Sequence, residues 1–193
     1  MTSEDSLYNI NQIINAYQNG SFPMAEKGVL GFYTCDPRSV FFFDSFHIPK
    51  RLKRIYKQNP FQLKVDTAFN DVVNKCRLDR PEWISEELTL IYSELYFLGK
   101  AHSFEAWNNG KLVGGVFGTC FGSAFLAESM FHHTKNASNC CLIYMMNWLQ
   151  NKGFHFCDIQ YANDHTNRFN PIDVPIRQFN LMLKEAIKSK VNT

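Results

Sequence analysis

Two turn dipeptides, Asn109-Gly110 and Phe121-Gly122, constrain this chain more than any other feature. Asn and Gly tolerate the positive φ that a two-residue hairpin turn needs at both central positions. Residues 104–107 and 111–119 are therefore predicted to pair antiparallel. The turn at Phe121-Gly122 leads a further strand into 123–131. A helix over 138–152 follows, with Ser138 as its cap and Gly153 as its stop, and then an apolar strand over 154–160. Antiparallel strands followed by a crossover helix and one more strand describe an α+β sheet carrying helices on its faces.

The remaining segments fit that frame. Helices are predicted over 7–19, 49–58, 66–77 and 174–188. A longer one over 85–98 has Ser85 and Glu87 as start signals and Gly99 as its stop. Consecutive aromatics over 39–46 suit a strand. With 193 residues, 45% of them hydrophobic, the chain can bury one core. We divide it into a small N-terminal subdomain with a basic helix (1–60) and a main domain (61–193). No window of about eighteen apolar residues occurs and residues 1–5 are polar, so a cytoplasmic protein with no membrane partner is expected. The six cysteines lack CxxC spacing, which predicts reduced, mostly buried thiols. His132-His133 has no second ligand pair at useful spacing, and no metal site is assigned.

Chemistry concentrates near the end of the last strand. Side chains alternate along a strand, so Asp158 and Gln160 are predicted on one side, in line with Phe154 and Phe156. A carboxylate there loses hydration and requires hydrogen bonds or a cation. By periodicity alone, a strand end that surfaces at Asp158 fits equally well. Glu128 sits on the strand expected to neighbour this one. Residues 50–57 carry five cations, and on a helix Lys50, Lys53, Arg54 and Lys57 share a face. That face suits either plain solvent or a phosphate backbone.

Many separate blocks share one resemblance. They are Ala16-Tyr17 with Gly20 and Phe22-Pro23, Asp36-Pro37-Arg38, His47-Ile48, Ala68-Phe69, Trp83-Ile84, and Gly99-Lys100-Ala101-His102-Ser103 with Glu105 and Trp107. They continue with Leu112-Val113-Gly114-Gly115, Gly118, Glu128-Ser129-Met130-Phe131, Asn136-Ala137-Ser138, Asp158 with Gln160, His165, and Pro175 with Arg177 and Phe179. In this order, across nearly the whole chain, they resemble the leucyl/phenylalanyl-tRNA protein transferase family.

The resemblance implies a GNAT-like acyltransferase fold, mostly antiparallel. It implies an aminoacyltransferase that moves Leu or Phe, with Met an open third donor, from charged tRNA to proteins beginning with Lys or Arg, marking them for N-degron degradation. No cofactor is implied beyond aminoacyl-tRNA as co-substrate; the partners are charged tRNA and protein N-termini, and a monomer is expected. The family's catalytic pair falls on Asp158 and Gln160, its donor side-chain pocket on Val116, Phe125, Leu142 and Cys157, and its terminal-adenosine position on Trp83. Lys50, Arg54 and Lys57 fall on tRNA-contacting basic positions.

The reaction is aminolysis of an ester by an α-amine, about a tenth of which is neutral at pH 7. Gln160 would accept from the amine while Asp158 polarises it. Reading a cationic acceptor requires an anion, and Glu128 is assigned that role. The departures are Met24 where the family has Trp, Cys35 where it has Pro, Phe169-Asn170-Pro171 where it has a Leu-Gly-Ala type sequence, and no glycine-rich segment before the first helix. They describe a divergent, N-terminally short member.

Two rival functions bear weighing. An acetyl-CoA N-acetyltransferase needs a Gly-rich pyrophosphate loop at a helix start, and residues 131–138 contain no glycine. A non-catalytic tRNA- or degron-binding module would keep the basic helix and the pocket but lose the acid-amide pair, and both Asp158 and Gln160 are present.

Overall fold

The computed structural model describes residues 9–191. In chain order, α1 (Ile10–Gln18) leads into a hairpin of β1 (Phe22–Glu26) and β2 (Val29–Tyr33), followed by β3 (Arg38–Phe41), α2 (Lys50–Lys57) and β4 (Gln62–Val65). The helices α3 (Phe69–Asp79) and α4 (Glu86–Phe97) precede a meander of β5 (Ala101–Asn108), β6 (Lys111–Phe121) and β7 (Ala124–His132). Next come α5 (Ala137–Lys152), β8 (Phe156–Asp158), α6 (Asp164–Asn167), β9 (Ile172–Val174) and α7 (Ile176–Lys188).

β1 and β2 form a sheet of their own, and the other seven strands join in the order β4-β5-β6-β7-β8-β3-β9. The predicted turns set this meander. Asn109 and Gly110 take φ of 50° and 74°, which places Asn108 opposite Lys111. Gly122 closes the β6–β7 turn at φ 58°, where a Cβ would fall 2.1 Å from the Ala186 carbonyl oxygen, so a side chain has no room. α5 then crosses over, and β8 returns parallel to β7, the one parallel pairing among the described strands. This is the expected α+β architecture, a mostly antiparallel sheet flanked by helices.

One apolar cluster combines sheet residues with α1, α3, α4 and α7, including Tyr17, Val72, Tyr92 and Phe179. Another combines them with α2 and α5, including Leu52, Leu142 and Met145. All six cysteines are free and five are buried.

Several expectations need correction. α5 does not start from a Ser138 cap: its N-cap is Asn136 at φ 68°, without a side-chain cap bond, and Ser138 lies inside the first turn. The strand expected over 154–160 spans only Phe156–Asp158, and past its C-terminal end Gln160 adopts φ 57° and leaves the pleat. The strand expected over 39–46 is limited to β3. The first helix begins at Ile10, and residues 7 and 8 of its predicted span lie outside the described residues. β1, β2, β4, β9 and α6 had no clear signature. β3, from within the first sixty residues, is hydrogen-bonded between β8 and β9 in the main sheet.

Candidate active site

The site opens where β7 and β8 part. Their parallel pairing ends at Leu126 opposite Asp158, and beyond it the two backbones diverge. On its other side β7 slips register against β6: Ala127 faces Gly118 and Ser129 faces Phe117, leaving Glu128 as the extra residue of a β-bulge. A bulge re-aims a side chain that regular alternation would place elsewhere. Here it directs Glu128 into a cluster of hydroxyls. Tyr17 on α1 donates to Oε1 at 2.7 Å, Tyr92 on α4 donates to Oε2 at 3.1 Å, and Thr119 donates to Oε1 at 3.3 Å. Loss of hydration on burial raises the carboxyl's pKa from 4.5 to about 7. The hydroxyl donors pull the other way, and the nearby Asp158 charge adds to the rise.

Asp158 has a different environment. It is fully buried and paired with an equally buried Arg38, whose Nη2 donates to Oδ2 at 2.5 Å and whose Nε donates to Oδ1 at 3.2 Å. Arg38 also donates through Nη1 to the Gly20 carbonyl at 3.0 Å. Its guanidinium lies over the rings of Phe22 at 5.1 Å and Phe179 at 4.6 Å.

Asp158 Oδ1 additionally accepts the backbone N–H of Gln160 at 2.9 Å. The Gln160 carbonyl accepts from the Ser39 N–H at 2.9 Å. These two bonds hold Gln160 in its left-handed conformation, which is uncommon for a residue with a side chain. The predicted geometry is therefore corrected. Asp158 and Gln160 do not share a strand face, and Asp158 acts on the main chain of Gln160.

Gln160 and Glu128 both line a cavity of about 160 Å³ whose other walls include Trp83, Val116, Ala127, Met130 and Ile159. A smaller cleft of about 40 Å³ shares Trp83, Glu128, Gln160 and Tyr161 with it and adds Phe22 and Met24. Asp158 lines neither. Of the four residues expected around the donor side chain, Val116 lines the cavity, whereas Phe125, Leu142 and Cys157 are wholly buried in the neighbouring apolar cluster. Lys50, Arg54 and Lys57 are all exposed on α2, whose opposite side buries Leu52.

The cavity thus offers an acid, a carboxamide and an apolar lining in one place. An amine is a ligand for the first two and an aliphatic or aromatic side chain for the third. Sequence reasoning missed the parts played by Arg38, Tyr17 and Tyr92. Arg38 and Tyr17 stand within blocks quoted for the resemblance but carried no assigned role. Tyr92 reads as an ordinary apolar position of α4. Tyr161 has no motif signal at all.

The family described as leucyl/phenylalanyl-tRNA protein transferase matches residues 40–184. A protein of Akkermansia muciniphila bearing that name is 40% identical over 184 residues, covering 92% of this chain and 95% of the relative. Another of the same name from Gloeobacter violaceus is 40% identical over 178 residues, covering 91% and 92%. Among solved structures, that of FemX aligns at a TM-score of 0.56 with 10% identity, over 81% of this chain and 65% of FemX, a likeness of fold alone.

Proposed function

Since this chain belongs to the leucyl/phenylalanyl-tRNA protein transferase family, we propose that it transfers Leu or Phe from charged tRNA to the N-terminal amine of proteins beginning with Lys or Arg, marking them for degradation. The observation that carries this reading is the convergence of Gln160 and Glu128 on one apolar-walled cavity.

In the proposed reaction the donor side chain enters between Val116, Ala127, Met130 and Ile159, with its terminal adenosine toward Trp83 and Met24. The acceptor amine attacks the ester carbonyl carbon. A C–N bond forms, the bond to the ribose oxygen breaks, and that oxygen leaves carrying a proton that originates on the amine. Gln160 accepts from the amine as it attacks, which fixes the nucleophile at bonding distance. Asp158 is a positioning residue: the Arg38–Asp158 pair holds the backbone from which the Gln160 side chain projects. Glu128 reads the acceptor's cationic side chain, and the exposed face of α2 holds tRNA phosphates.

Incubating the protein with a panel of charged tRNAs and with Lys-, Arg-, Asp- and Glu-initiated peptides, read by mass spectrometry, tests this directly. A gain of one Leu or Phe residue on the Lys and Arg peptides is expected. No mass gain on any peptide would overturn it.

Two finer predictions follow from the electrostatics. The Glu128 carboxyl has its pKa raised on folding, so its protonated form stabilises the fold below about pH 4.5, and that contribution fades as pH climbs through about 7. The melting temperature of Glu128→Gln should therefore vary less between pH 4.5 and 7.5 than that of the parent. Because only the ionised carboxylate attracts a cation, the preference for Arg- over Ala-initiated peptides should rise through pH 7 in the parent and stay flat in the variant. Matching profiles for the two proteins would remove Glu128 from the role.

Neutralising Lys50, Arg54 and Lys57 together should lower the slope of log K against log salt for tRNA binding by about 2 to 3, at roughly 0.7 to 0.9 per phosphate contact. A filter-binding titration with the parental slope would place the phosphate track elsewhere.

A further inference from the structure

Tyr161 is the one aromatic residue common to both clefts besides Trp83, and it occupies an unusual position. The residue is 61% exposed although it lines both openings. Among the described residues its hydroxyl makes no hydrogen bond and its ring pairs with no other ring or cation. The backbone on either side is nevertheless firmly held. Gln160 donates its N–H to Asp158 at 2.9 Å, and Ala162 donates its N–H to the Ser39 hydroxyl at 3.0 Å. The Ser39 hydroxyl is fixed in turn by donating to Asp173 at 2.6 Å. A ring on so constrained a backbone, with no partner of its own, is a surface prepared for a planar or apolar ligand.

The identity of that ligand follows from the smaller cleft. Its walls are Phe22, Met24, Trp83 and Tyr161, with Glu128 and Gln160 as the polar members. Three aromatic rings and a thioether suit a flat heterocycle better than a flexible cation. Glu128 lines both openings, so a cationic acceptor chain can reach its carboxylate from the larger cavity and leave the aromatic walls of the smaller cleft to the base. Met24 has three rotatable bonds and no π face, so it covers a base without stacking on it. Tyr161 brings the missing face to the same cleft.

We propose that Tyr161 is the stacking platform for the terminal base of the donor tRNA, taking in this chain the part that Met24 cannot play. The proposal rests on the aminoacyl-tRNA reading above. It makes Tyr161 a specificity residue that touches the donor but none of the reacting atoms.

Base-aromatic stacking is worth about 1 to 3 kcal/mol per base, so its loss should weaken binding by about tenfold. The test is an equilibrium titration of adenosine 5′-monophosphate against the parent, Tyr161→Phe, Tyr161→Ala and Met24→Trp/Tyr161→Ala. Because the ring is exposed, its truncation leaves the core intact. Tyr161→Phe should bind within about twofold of the parent, Tyr161→Ala about tenfold more weakly, and the double variant should recover most of the loss through its new indole. Parental affinity in Tyr161→Ala would overturn the proposal, as would a loss that Met24→Trp fails to restore. The titration needs no acceptor and no turnover. A parent protein that binds the nucleotide through Tyr161 yet transfers no amino acid would sink the functional reading and leave the platform standing.

Discussion

Asp158→Ala should abolish most transfer and, unlike substitutions at the cavity wall, should also destabilise the fold. The buried Arg38 guanidinium would lose its only carboxylate partner among the described residues. An uncompensated buried charge costs about 3 to 5 kcal/mol. In a chain of this size that lowers the melting temperature by about 10 °C. Lower activity alone would therefore say little about mechanism. The double variant Arg38→Met/Asp158→Leu separates the two effects, since the charges disappear together into surroundings already furnished with Phe22 and Phe179. Most of the lost melting temperature should return in it, because buried ion pairs replaced by apolar residues of similar volume are often no less stable. Transfer of labelled Leu or Phe should remain depressed at least tenfold, because the Gln160 N–H has still lost its acceptor. Recovery of both together would reduce Asp158 to a stabilising residue.

Gln160→Ala should behave in the opposite way. The carboxamide lines the cavity and the residue is 8% exposed, while the bonds that hold the segment run through its main chain. Truncation keeps the backbone amide and carbonyl, and Ala bears the same left-handed φ at a cost similar to that of Gln. The melting temperature should stay within about 2 °C of the parent. Affinity for charged tRNA should also hold, since the proposed grip on the donor is through its side chain, base and phosphates. The rate of transfer should fall about a hundredfold or more, the typical cost of a misplaced nucleophile. Single-turnover measurements at saturating tRNA isolate this step. A rate within threefold of the parent would show that another group positions the amine.

Both predictions depend on a correction that strand periodicity could not foresee. Alternation counts positions along a straight pleat, and from that count Asp158 and Gln160 share a face. The pleat ends at Asp158, Gln160 turns to φ 57°, and nothing local in Cys157-Asp158-Ile159-Gln160 announces a left-handed residue. That turn is maintained by the Ser39 N–H and by Asp158, itself held by Arg38, and both Ser39 and Arg38 lie more than a hundred residues away in sequence. Glu128 presents a similar case. Its strand was legible from the Gly122 turn, but its aim comes from a bulge against β6 and from hydroxyls on α1 and α4.

What the sequence determined by itself is local and strong: the meander, from turn residues whose backbone angles few others tolerate; the crossover helix and its Gly153 stop; the start of α4 at Ser85, which accepts from the Leu88 N–H; and the free, mostly buried cysteines. Family membership was also legible, because it is carried by many short blocks in fixed order. The tertiary structure alone decided which acid lines the cavity and which is sealed away, and that the cavity is walled by Ala127, Met130 and Ile159 while Phe125, Leu142 and Cys157 are buried in the neighbouring apolar cluster. The physical reason is that burial and charge pairing depend on what the rest of the chain brings alongside a residue, and short-range pattern holds no record of those distant neighbours.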